Sequence, residues 1–328
     1  MPRAARSPIH RTSYSQRLDR VIDRVIDHVA DHLDGKLALD TLARVAGFSP
    51  FHFHRLFQAH TGETVHDHVR RVRVERAASL MRATPARPLT DIALDVGFPA
   101  LSDLSRAFKQ RFGVAPSRWN RLSPLPDSRE VSAGRLGDAE LARAACELRV
   151  RIRELPRSLF VFTRVADPYG NQRLVDAYHA TRRWLESLAR PPHDVIFAGM
   201  SIDDPAVTPA KQCRYDLGVL CPFAATGVVA DLARLRDHAP RIAPPSPADV
   251  DRGGLSARRF SALELATVHV RGDLAAVDVV WQWLYRTWLP RQRRFPANLP
   301  AMELFVRLPE EIGWEQFDLV AAVPLSKI

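Results

Sequence analysis

Two short clusters of polar and aromatic side chains, about fifty residues apart, carry the chemistry this chain offers most plainly. The first is Phe51, His52, His54 and Arg55; the second is Ser102, Asp103 and Arg106. On the outer face of a short helix, guanidinium, imidazole, hydroxyl and carboxyl groups can pair with base edges in a major groove, and arginine also pairs with phosphate. A third cluster differs in character. Trp281, Tyr285 and Trp288 recur at helical spacing, Glu303 and Phe305 follow, and Tyr169 completes the predicted pocket from earlier in the chain. A carboxyl among aromatic rings is costly in its charged form, so it is either protonated or met by a cation, and an aromatic stripe at this spacing is more often core than a ligand box.

The two polar clusters need elements to hold them, and the sequence writes one helix-turn-helix pattern twice. Asp40 and Thr90 sit where a helix cap is expected, followed at helical spacing by Leu42 and Val45 in one copy and by Ile92 and Val96 in the other. Gly47 and Gly97 come just after, where a left-handed residue ends a helix, and Phe48 and Phe98 can drop between crossing helices. In the first copy Ser49 caps a second helix, Pro50 suits its first turn, and Phe53, Leu56 and Phe57 form its buried stripe. In the second copy Leu101, Leu104, Ala107 and Phe108 bury. The exposed remainder of each second helix is the candidate groove reader. Between the copies, Val65, Val69, Val72, Ala77, Leu80 and Met81 are spaced for one helix over residues 64–83. Such a helix is about 30 Å long, enough to set two readers in successive major grooves.

These residues resemble the AraC/XylS-type DNA-binding domain over residues 15–122. The resemblance rests on Ala43, Ala46, Gly47, Phe48 and Ser49, on Arg55 to Phe57, on Ala93, Val96, Gly97 and Phe98, on Ser105 to Lys109, and on Phe112 to Ser117. It implies contacts to bases and phosphates from Phe51, His54 and Arg55, and from Ser102, Asp103 and Arg106. Pro99 and Asp103 depart from the family pattern, and a carboxylate repels phosphate while accepting from cytosine N4. The first unit is therefore expected to supply most base specificity and the second mainly phosphate anchoring. Arg55 and Arg106 would serve as surface ion-pair partners if these were ordinary packed helices; repetition of the whole unit favours the reader.

Charge agrees. Residues 1–122 hold 20 Lys and Arg against 12 Asp and Glu, and they carry +8 of the net +10. Arg3, Arg6 and Arg11 place a disordered basic tail at residues 1–14, with no apolar run to make it a signal peptide. Cys146, Cys213 and Cys221 have no metal-site spacing, which suits a reduced, cytoplasmic chain. His28 and His32 fall on the wet side of a first helix whose buried face is Val21, Ile22, Val25, Ile26, Val29 and Leu33, so no metal site is expected. The apolar run at residues 217–230 is too short for a membrane span and holds Pro222 and Gly227.

Residues 123–146 read as a linker, with Pro124 and Pro126 and a short Ala-rich helical stretch at residues 138–145. Residues 147–328 form the second expected domain. It opens on a strand over residues 148–153 in which Leu148, Val150 and Ile152 alternate with arginines. This domain is faintly duplicated: residues 213–222 echo residues 315–324 at a shift of 102, and Trp184 echoes Trp288. Each half reads strand, strand, helix, strand, strand, so the whole chain is expected to be multidomain, all-α followed by α+β, with a groove across the pseudo-symmetry axis.

Asp203 to Pro205, Cys213 to Asp216, Trp288 to Pro290 and Pro300 to Glu303 resemble the GyrI-like effector-binding domain, over about residues 147–328. The resemblance implies that Glu303 lies at the base of an aromatic-rimmed pocket and meets a small cationic or amphiphilic effector; its counterpart in the first half is Ser201. Where the family often has tyrosine this chain has Phe305. Three alternatives stay open at this level. Glu303 could pair with Arg271 or Arg307, the domain could hydrolyse small electrophiles, or it could be a protein-interaction module. No Ser-His-Asp order or paired carboxylates support catalysis, so no catalytic residue, cofactor or metal is assigned. The expected function is a sequence-specific transcriptional regulator whose partners are double-stranded DNA, a small effector and RNA polymerase, with no membrane.

Overall fold

Short apolar repeats and glycine turns set the first half of the structure. In the computed structural model, residues 13–120, 136–169, 172–189, 195–205, 207–236, 244–292 and 294–326 are described. Residues 1–12 of the expected tail, residues 121–122 at the end of the expected first domain and residues 123–135 of the expected linker lie outside them. Helix α1 (Ser13–Asp31) buries Ile22, Val25, Ile26 and Val29 against α2 (Leu39–Ala46), α3 (Pro50–Thr61) and the start of α4 (Val65–Ala83). Helices α5 (Leu89–Asp95) and α6 (Leu101–Phe112) enclose a second core with the end of α4, around Met81, Ile92, Leu104 and Phe108. Helix α4 thus belongs to both cores and fixes the two units relative to each other. Gly47 and Gly97 both have positive φ, at 74° and 86°, which makes the tight turn into each second helix easy for a residue without Cβ.

The expected caps at Asp40 and Thr90 are displaced. Leu39 and Leu89 pack onto their cores and draw each helix in, so the cap positions are Ala38 and Pro88, neither of which caps through a side chain. Ser49 and Thr64 do cap, accepting from the backbone N–H groups of His52 and Asp67. Helix α7 (Asp138–Ala144) follows the undescribed stretch and buries Leu141.

The second half is one antiparallel sheet of eight strands. In chain order these are β1 (Arg151–Leu155), β2 (Ser158–Ala166), β3 (Ile196–Ser201), β4 (Arg214–Pro222), β5 (Ser256–Phe260), β6 (Leu263–Gly272), β7 (Ala301–Arg307) and β8 (Phe317–Pro324). Their spatial order, β1-β6-β8-β7-β3-β4-β2-β5, is symmetric about the β7/β3 pair. Each repeat is strand, strand, helix, strand, strand, with α8 (Arg173–Ser187) and α11 (Leu274–Trp283) as the long helices. The repeats exchange their outer strands: β1 pairs with β6 and β5 with β2. Met200 faces Met302 in the central register, which makes Ser201 the counterpart of Glu303, as the 102-residue shift requires.

Helices α8 and α11 lie on one face of the sheet, one per repeat. Helix α9 (Val228–Leu235) packs on the other face, while α10 (Pro247–Arg252) joins the core beneath α8 through Val250. A single turn, α12 (Pro309–Ile312), follows β7. Two sequence expectations shift here. The first strand starts at Arg151, not residue 148, and Ile152 on this edge strand is 38% exposed. Helix α11 passes into a π-helical turn, Leu284–Trp288, whose slower rotation per residue breaks the i, i+7 stripe.

The halves of the chain are clasped by buried polar contacts. Arg164 on β2 donates to Asp216 on β4 at 2.7 and 2.8 Å and to Asp27 on α1 at 2.6 Å. Asp23 lies 3.6 Å away and Arg258 pairs with the same Asp27 at 2.9 Å. The β3–β4 connection reaches α4: Ser79 donates to Asp204, Thr208 donates to Glu75, and Val207 inserts into the core around Met81. No helix among the described residues is long and apolar enough to cross a membrane.

Candidate functional site

The outer faces of α3 and α6 stay uncovered with the sheet domain in place. Phe51 is 75% exposed, and the Arg55 guanidinium stands 5.8 Å from its ring centre. His52 is exposed and packs edge-on against Phe48, while His54 is half-buried. On α6, Ser102 and Arg106 are exposed and Asp103 is half-buried, with Arg106 donating to the Asp103 carboxylate one turn back. Arg55 makes no salt bridge with a described residue, so its donors are available to another molecule. Arg106 must first leave an exposed intrahelical pair, a contact worth at most about 1 kcal/mol. The two faces therefore differ, as Asp103 in the sequence suggests.

A cavity of about 680 Å³ lies between α8 and α11 over the central strands. Strand alternation decides what enters it: Met302, Leu304 and Val306 point into the core on the far face, leaving Glu303 and Phe305 toward the cavity. Glu303 is half-buried. Its Oε2 accepts from the Tyr215 hydroxyl at 2.5 Å and its Oε1 from the Trp281 Nε1 at 3.1 Å. Opposite Glu303 stands Gly199, where a Cβ would meet the Tyr215 oxygen at 1.6 Å. Only a residue without a side chain lets the phenol reach the carboxyl. Burial pushes the Glu303 carboxyl above the usual carboxylate range, its two hydrogen bonds offsetting this in part. No cation pairs with it among the described residues; Arg271 and Arg307, the partners weighed from sequence, both bind Asp318 instead.

Residues 42–122 match the family model described as a helix-turn-helix domain, and residues 149–316 match the GyrI-like small molecule binding domain. The second match alone covers half the chain. The chain belongs to the AraC/XylS-type regulators that carry a C-terminal GyrI-like domain. It is 39% identical over 91 residues to the transcriptional regulator Rob of Salmonella typhimurium, a match covering 28% of this chain and 31% of Rob. It is 34% identical over 87 residues to the regulatory protein SoxS of Escherichia coli, covering 26% of this chain and 80% of SoxS. The chain thus spans about a third of the Rob-type relatives it matches. Among solved structures, the C-terminal domain of AraT from Geobacillus stearothermophilus aligns at 27% identity and a TM-score of 0.30, over 32% of this chain and 87% of that one.

Within the GyrI-like domain, Glu303, Trp281, Tyr285, Phe305 and Tyr169 all line the cavity. Trp288 does not: beyond the π-helical turn it packs against the core beneath α11. Tyr215, the hydroxyl partner of Glu303, was not singled out as a site residue by the sequence, although it lies within the Cys213 to Asp216 stretch. The signal that could have found it is Gly199, an interior strand glycine, which often marks a close approach by another group. A second omission is larger. Ala30 of α1, Leu33 in the turn after it, and Val72, Arg76, Ser79 and Arg82 of α4 also line the cavity, so the helix-turn-helix half forms one of its walls. Among the described residues, no three His, Cys, Asp or Glu side chains gather as a metal site would need.

Proposed function

We propose that this chain is a one-component transcriptional regulator. Its α3 and α6 faces read double-stranded DNA, with Phe51, His52, His54 and Arg55 supplying base specificity and Ser102, Asp103 and Arg106 mainly anchoring phosphate. Its cavity takes a small cationic or amphiphilic effector, and contact with RNA polymerase in the cytoplasm completes the reading. One observation carries it: Glu303, a carboxyl without a cation, sits in an aromatic cavity that borders α4, the helix holding both readers. A ligand cation would restore the charge that burial suppresses, with cation–π contact to Trp281 adding to the attraction. Binding is favoured over hydrolysis because both carboxyl oxygens are already engaged as acceptors, an arrangement that holds charge rather than activates water.

The test uses the full chain. Selection from random duplex DNA should enrich a defined sequence, and Arg55→Ala should cost about 1–3 kcal/mol while relaxing specificity at one position. A loss uniform across sequences would reassign Arg55 to phosphate, and no enrichment would sink the DNA reading. Titration calorimetry with octyltrimethylammonium should detect binding that weakens on the order of tenfold in Glu303→Gln. No difference between native and variant would remove Glu303 from the site.

A further inference from the structure

A second charged group at the cavity makes no salt bridge with a described residue, and it comes from the other domain. Arg76 lies on α4, between the two DNA-reading units, and lines the cavity half-buried. Its hydrogen bonds go to backbone carbonyls, Ala297 O at 2.7 Å and Pro296 O at 3.5 Å, and it makes no salt bridge with a described residue. Arg71 on the same helix pairs with Glu63 and Glu75, and Arg111 on α6 with Glu75, whereas Arg73, which also bonds to backbone carbonyls, does not line the cavity. Two further guanidiniums at the cavity are likewise paired, Arg258 with Asp27 and Arg307 with Asp318. Six residues along α4 from Arg76, Arg82 also lines the cavity, and its Nη1 is buried without a hydrogen-bond partner.

An aromatic strip joins this cationic wall to Glu303. Tyr285 lies close enough to Arg76 to interact with its charge, the rings of Tyr285 and Trp281 are 6.3 Å apart, and Trp281 donates to Glu303. We propose that the effector is held by both domains at once: Glu303 takes a cationic group, and Arg76 with Arg82 takes an anionic or hydrogen-bond-accepting group of the same molecule. The ligand class is a small zwitterion with an apolar body. This inference rests on the reading of the cavity as an effector site. Burial lowers the Arg76 pKa, with Tyr285, Asp204 and Asp95 opposing it in part, and burial raises that of Glu303, so an oppositely charged ligand end would favour the charged form of each. A hydrogen bond to a charged group is stronger than a neutral one, so each end contributes to affinity and the spacing of the two ends sets specificity.

Two probes with the same eight-carbon chain separate the possibilities in the protein: octyltrimethylammonium, a cation only, and 8-(trimethylammonio)octanoate, a zwitterion whose carboxylate lies at the far end of the chain. The zwitterion should bind the native chain on the order of tenfold more tightly. Arg76→Met should erase that advantage while leaving the cation within about twofold, Arg76→Lys should keep part of it, and Arg82→Met should reduce it. Glu303→Gln should weaken both probes. Melting curves of each variant identify any that fails to fold, and Arg76→Lys then carries the comparison. Equal affinity for the two probes, or an advantage untouched by Arg76→Met, overturns the two-domain site and leaves the effector reading standing. No binding of either probe overturns both.

Discussion

Glu303 shares its two carboxyl oxygens with a phenol and an indole, and it lines the cavity. Burial raises its pKa, so the neutral acid is favoured over a wider range of pH than in water, whereas a bound cation favours the carboxylate. The sign follows: cation binding must drive proton release, and affinity must rise with pH until Glu303 is ionised without the ligand. Calorimetric titration of octyltrimethylammonium in two buffers of different ionisation enthalpy should report net proton release near the raised pKa, lost in Glu303→Gln. Equal heats in both buffers would mean that Glu303 is already charged. At this scale the acid was legible in the sequence only through the resemblance of Pro300 to Glu303 to the GyrI-like domain. Its hydroxyl partner was not, since Tyr215 lies 88 positions away and reaches Glu303 only across the space that Gly199 leaves open.

Helix α1 is more than a packing element of the first DNA-reading unit. Through Asp23 and Asp27 it meets Arg164, a side chain only 5% exposed whose other partner is Asp216. Three carboxylates converge here, and burial leads the causes that raise Asp23 and Asp216 above the usual range, with Arg164 opposing it. Replacing the guanidinium leaves three acids facing one another, with Arg258 still paired to Asp27. Arg164→Met should therefore lower stability by about 3–5 kcal/mol, the cost typical of breaking a buried pair on one side. Urea denaturation checks this, and a midpoint unchanged from the native chain would mean that the domains do not depend on the clasp. Periodicity located α1, α4 and the paired repeats of strands and helix, as each is written in a few turns or a few alternating residues. It could not show that α11 ends in a π-helical turn that carries Trp288 away from the cavity, because that change follows from packing beneath the helix.

For the whole molecule, the wall shared between cavity and reader makes ligand and DNA affinity parts of one equilibrium. An effector that touches α4 and alters DNA affinity by some factor must have its own affinity altered by DNA to the same extent. Couplings of this kind typically span about 5- to 150-fold. Calorimetry of a cavity ligand with the free chain and with the chain saturated by its selected duplex should therefore give affinities at least about fivefold apart. Identical affinities would mean that the two domains bind independently, however closely they pack. The sequence by itself determined the two helix-turn-helix units and the duplicated α+β half, because caps, glycine turns and apolar periods act within windows of about a dozen residues. The tertiary structure alone decided that the outer strands change places between repeats, that Val207 plugs the core around Met81, and that Arg76 faces the cavity holding Glu303. Those outcomes join residues far apart in the chain, and only sheet register and the packing of one domain on the other bring them together.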